Sequence, residues 1–93
     1  MKSDTLELVR FYNETKGNSW NNKDNWLTEN LILHWKGIET DTLVAGKDSF
    51  LVVSSIKLGN NNLQGEFPKI NLEHLKYLHL YNNDLSGEIN EIN

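Results

Sequence analysis

The side chains best suited to move a proton or hold a metal near neutral pH are three histidines, His34, His74 and His79. None stands at ligand spacing from a second histidine or a carboxylate, and the chain has no cysteine to supply a thiolate site. Glu66 and Glu88 recur 22 positions apart. Were that interval one turn of a coil, they would lie about 5 Å apart, close enough to act as an acid–base dyad. A solvent-facing position that simply repeats accounts for the same pairing, and that is the reading carried forward. No nucleophile elbow, Walker loop, zinc motif or dinucleotide fingerprint occurs, and Gly59-Asn60-Asn61-Asn62 lacks the glycine spacing and lysine of a phosphate loop. The residues point to recognition instead. Tyr77, His79 and Tyr81 alternate, so a strand would hold all three on one face, and tyrosine is enriched where proteins bind one another. Two tyrosines packing across neighbouring strands would explain the same pattern.

Composition narrows the partners. Ninety-three residues form one small domain, and nine Lys and Arg against thirteen Asp and Glu give a net charge of −4. Nucleic acid is not an expected partner, because a phosphate backbone demands clustered cations. The longest apolar runs, such as Leu31-Ile32-Leu33, are far too short for membrane insertion. Met1-Lys2-Ser3-Asp4 lacks the apolar region of a secretory signal. The glycosylation triplet Asn13-Glu14-Thr15 falls inside an expected helix and carries little weight. Fourteen asparagines and fourteen leucines in so short a chain call for a repeat search.

Aligned against itself at an offset of 22, the chain places Ile56, Leu58, Asn61, Leu63, Gly65 and Phe67 opposite Leu78, Leu80, Asn83, Leu85, Gly87 and Ile89. Val53-x-x-Ile56-x-Leu58-x-x-Asn61-x-Leu63 and Leu75-x-x-Leu78-x-Leu80-x-x-Asn83-x-Leu85 are two copies of one pattern. Within each, the alternating pair Ile56-x-Leu58 or Leu78-x-Leu80 suits a strand with one buried face. Asn61 and Asn83 follow, where the chain must turn. A side chain with an acceptor and two donors can satisfy the backbone groups such a turn leaves open, so the two should begin an asparagine ladder. Asn60, Asn62, Asn82 and Asp84 read as turn formers. The pattern resembles the leucine-rich repeat. Leu63-x-Gly65-x-Phe67-Pro68 and Leu85-x-Gly87-x-Ile89-Asn90 resemble the L-x-G-x-I-P extension of the plant-type class and its bacterial surface-protein relatives. Two features depart from that class: the period is shorter than usual, and Asn90 replaces the second proline.

Asp4 to Lys16 reads as a helix, with Asp4 as cap, Glu7 completing a capping box and Gly17 as the stop. The following segment, with Trp20, Asn21, Asn22, Trp26 and Leu27 and then Trp35-Lys36-Gly37-Ile38, resembles the N-terminal cap of plant-type leucine-rich repeats. In disulfide-bearing versions cysteines flank the last of these motifs. Leu33 and Thr40 stand there, so the cap must hold by packing. Trp20, Trp26 and Trp35 with Phe11 and Tyr12 are its expected core, and a platform for stacking sugar rings is the alternative. Strands are expected over residues 35–40 and 50–58, joined by a loop or hairpin tip over 41–49 around Gly46. The expected fold is α/β: a short leucine-rich repeat solenoid of about two repeats, with a parallel sheet on its concave face and an N-terminal capping helix. Residues 1–49 would form the cap, and residues 50–93 two repeats, the second ending within a repeat.

The resemblance implies that residues between the buried strand leucines project from the concave sheet and bind a protein ligand. Those are Ser55, Lys57 and Gly59 in the first unit and Tyr77, His79 and Tyr81 in the second. The expected function is therefore a non-catalytic protein-protein interaction module needing no cofactor or metal. Carbohydrate recognition through exposed aromatics and a purely structural role capping a longer array are the alternatives. The next strand would begin at position 97, beyond Asn93, which would leave Leu78, Leu80, Leu85 and Ile89 open along the stacking direction. A homodimer through that end is expected. The resemblance also implies a parent protein at the cell surface or outside the cell, with the cytoplasm as the other possibility.

Overall fold

The computed structural model describes residues 4–87. Helix α1 (Asp4–Glu14) turns Glu7, Leu8, Phe11 and Tyr12 inward, a single stripe at helical spacing. Thr15 extends the stripe, its hydroxyl donating to the Phe11 carbonyl at 2.8 Å. The two acidic residues expected to cap the helix reach further than that. Asp4 Oδ2 accepts from Val53 N at 2.8 Å and Glu7 Oε2 from Asn71 N at 2.8 Å, which ties the helix to distant backbone. Arg10 donates to Glu7, to Glu14 and to the Lys69 carbonyl, and the Glu7 bond above all raises the guanidinium pKa and keeps it charged. The helix stop also differs from expectation. Lys16, not Gly17, takes the left-handed conformation, with φ 56. Glycine is needed at 17 for another reason: a Cβ there would stand 2.2 Å from the Tyr12 ring.

Five strands follow: β1 (Ile38–Ala45), β2 (Asp48–Lys57), β3 (Gln64–Glu66), β4 (Tyr77–His79) and β5 (Asp84–Ser86). The first sheet has the order β1-β2-β4, and β3 and β5 pair separately. β1 and β2 are antiparallel, and Ala45 faces Asp48, so only Gly46 and Lys47 form the turn. Gly46 has φ +63 at the first central position, as a type II′ hairpin requires. Most of the segment expected as a loop over 41–49 is therefore strand. Opposite the Glu39/Thr40 step the register skips Ser54, a bulge on β2. The skipped residue brings Val53 and Ile56, three positions apart, both into the interior, where each is 0% exposed.

The expected α/β solenoid is not formed, and the fold is α+β. Among the described residues, one α-helix packs with a mixed three-stranded sheet and a two-stranded parallel sheet. The cause lies in the two-residue turn, which can join only antiparallel neighbours. Residues 38–57 fold back on themselves as a hairpin, so the repeated units contribute only one parallel pair to each sheet. The pairs also differ in register. Ser55 faces Tyr77, an interval of 22, whereas Gly65 faces Leu85, an interval of 20. The first turn winds through two left-handed asparagines, Asn60 and Asn62, while the second has only Asn82. Asp84, the counterpart of Asn62, is already in strand β5.

A single hydrophobic cluster runs through both halves of the chain, from Leu8, Phe11 and Tyr12 to Val53, Leu58, Leu63 and Leu72. Trp20, Trp26 and Trp35 are buried within it. Trp26 meets Trp20 edge-on at 4.8 Å, lies 5.0 Å from Trp35 and stacks on Tyr12 at 5.9 Å. Each indole N–H finds a backbone carbonyl: Trp20 that of Thr15, Trp26 that of Lys36 and Trp35 that of Asn30. Buried aromatic rings with satisfied N–H groups stabilise a small core without disulfides.

Candidate functional site

Asparagine amides position the exposed edge of the first sheet. Asn83 Oδ1 accepts from Asn61 N at 2.9 Å and Leu63 N at 3.0 Å, and its Nδ2 donates to the Leu58 carbonyl at 2.9 Å. Asn61 does the same one level down. It accepts from Asn22 N at 2.7 Å and donates to the Asn22 carbonyl at 2.8 Å. The ladder thus has a third level in Asn22, which offers backbone rather than an amide. Any residue but proline could supply those groups, so the sequence carried no side-chain signal for this level. Asn60, Asn62 and Asn82 occupy left-handed turn positions, φ 56, 59 and 53, which asparagine tolerates better than most residues.

Held by this ladder, β4 and the two residues after it present Tyr77 and Tyr81, 59% and 61% exposed, on either side of exposed His79. Tyr81 lies over Gly59 on the neighbouring unit. A Cβ at Gly59 would stand 2.5 Å from the ring, so the glycine makes the seat for the tyrosine. Lys57 Nζ pairs with Glu39 at 3.1 Å and Lys76 Nζ with Asp41 at 3.1 Å. The hydrogen bond from Lys57, followed by that of Ser55, holds the Glu39 carboxyl below the usual carboxylate range. A shallow depression of about 400 Å³ adjoins, lined in part by Asn21, Lys36, Lys57, His79 and Tyr81.

Not every expected contact residue lies on this surface. Ser55 is 2% exposed, between Glu39 on β1 and Tyr77 on β4, so it is a structural residue and not an interface residue. The three tryptophans offer no open face for a sugar. Of the residues expected at an open end, Leu78, Leu80 and Leu85 are half-buried and packed against the core cluster. Ile89, Asn90 and Glu88, partner of Glu66, lie outside the described residues.

A second surface was not anticipated from the sequence. The start of α1, the segment 28–32, the outer half of the hairpin and the return at 71–74 enclose an open groove of about 1350 Å³. Ile32, Trp35 and Leu72 line it from the core, and Leu31, Leu43 and Phe50, which are 60%, 39% and 36% exposed, add apolar surface. The only hint was the hydrophobic residues of the segment read as a loop.

Comparison with protein-family models, with curated proteins and with solved structures finds no match to the chain. What the surfaces can do therefore rests on their own chemistry. Among the described residues no three of His, Cys, Asp and Glu gather to hold a metal ion, and no helix is long and apolar enough to cross a membrane. His34 is exposed near the tryptophan core, His74 lines the groove and His79 lies on β4, so the three histidines do not meet.

Proposed function

We propose that the chain is a non-catalytic protein-binding module and that the exposed face of its mixed sheet is the contact surface. The observation that carries this reading is the pair Tyr77 and Tyr81, both exposed, the first on edge strand β4 and the second two residues past its end, with His79 between them. Tyr77 on the strand and Tyr81 seated over Gly59 offer large contact area at low entropic cost. The ion pairs Lys57–Glu39 and Lys76–Asp41 beside them form a polar border of the kind that surrounds hot spots. Photocrosslinking from position 77 in a cell extract tests it. Unlabelled wild-type chain should compete for the captured protein, and a Tyr77→Ala/Tyr81→Ala chain of unchanged melting temperature should not. Equal competition by both chains refutes the reading.

A further inference from the structure

We propose that the groove between the hairpin and the return segment receives the apolar face of a short, basic amphipathic segment of another protein. At about 1350 Å³ it exceeds the roughly 300–1,000 Å³ typical of small-ligand pockets, and it is open to solvent. Leu43 and Phe50 face each other across the hairpin and, with Leu31, give the groove exposed apolar side chains that a partner could cover.

Charge selects the occupant. Among the described residues, Asp4, Glu29 and Glu73 line the groove and no Lys or Arg does. Asp4 is spent on Val53 N, which leaves Glu29 and Glu73 exposed to meet cations. A second copy fits poorly. In a two-fold dimer through this face the same patch would meet itself and bring like carboxylates together. A partner with lysine or arginine flanking an apolar stripe satisfies both the walls and the rim. The groove shares no lining residue with Tyr77, His79 and Tyr81, so it stands independently of the proposed function.

Fluorescence anisotropy with a labelled amphipathic peptide of leucine and lysine at helical spacing tests the assignment. Saturable binding is expected to the wild-type chain. Glu29→Lys/Glu73→Lys should weaken it about tenfold, and Leu43→Ser/Phe50→Ser by a similar factor. Two controls should bind as wild type: Glu66→Lys/Asp84→Lys, which changes net charge equally but away from the groove, and Tyr77→Ala/Tyr81→Ala. The exposed charge reversals keep the test decisive if the hairpin variant fails to fold. Absence of binding overturns the proposal, as does an equal loss in the Glu66→Lys/Asp84→Lys control, which would mean attraction to net charge alone. Self-association abolished by the Leu43→Ser/Phe50→Ser change would make a second copy the occupant and also overturn it. None of these failures bears on the tyrosine face.

Discussion

Replacing Asn83 by alanine removes two hydrogen bonds accepted by Oδ1, from Asn61 N and Leu63 N, and those donated by the two Nδ2 hydrogens, which the Leu58, Leu80 and Tyr81 carbonyls share. The donors matter most, because Asn61 and Leu63 are 4% and 0% exposed. A buried N–H left without a partner costs about 1–3 kcal/mol, whereas a carbonyl near the surface can turn to water. Asn83 is itself half-buried, so water entering its vacated site recovers part of the loss. The net destabilisation should be about 2–4 kcal/mol. For a domain of this size that lowers Tm by on the order of 10–30 °C. It stays within the roughly 5–14 kcal/mol of total stability such a domain has, so the variant should still fold. Thermal and urea melts followed by tryptophan fluorescence read it directly, since all three tryptophans are buried in the same cluster. Asn82→Gly is the comparison. Glycine accepts φ 53 without strain, so this change should stay within about 0.5 kcal/mol. If Asn83→Ala costs less than about 1 kcal/mol, or no more than Asn82→Gly, the ladder does not hold the units together as argued.

Two further outcomes follow from local geometry. Gly17→Ala should destabilise by about 1–3 kcal/mol and alter the near-ultraviolet circular dichroism. The new methyl group must displace the Tyr12 ring, which packs against Trp20 and Trp26, and an unchanged spectrum would contradict that contact. The Glu39 carboxyl should titrate below an unpaired glutamate, and Lys57→Met should raise its midpoint, as followed by NMR. Because the folded value is depressed, the stabilisation is present above the unfolded value and is lost as pH falls through the folded one. Glu39 lies at the exposed surface, where solvent screening keeps the effect on stability small. A midpoint unmoved by Lys57→Met would remove Lys57 as the cause.

The sequence by itself determined the features that depend on one residue meeting its near neighbours or its own repeat. Alternation marked Ile56 and Leu78 as strand residues, with Leu58 and Leu80 falling just past the strand ends, and the 22-residue interval matched Ser55 to Tyr77 and Asn61 to Asn83. The stripe Leu8, Phe11 and Tyr12 required a helix with something to cover. Tertiary structure alone decided the rest. Whether Gly46 and Lys47 closed a hairpin or sat in a long loop changed the fold from α/β to α+β, because turn length sets whether neighbouring strands run parallel or antiparallel. Ser55 is outward by alternation yet buried, since its exposure depends on Glu39 and Tyr77 arriving from strands on both sides. Gly17 looked like a helix stop, and its necessity comes from a tyrosine ring five residues back. The groove is the plainest case. Asp4, Leu31, Leu43, Phe50 and Glu73 share no spacing that periodicity could detect, and only the folding of four separate segments onto one core brings them together.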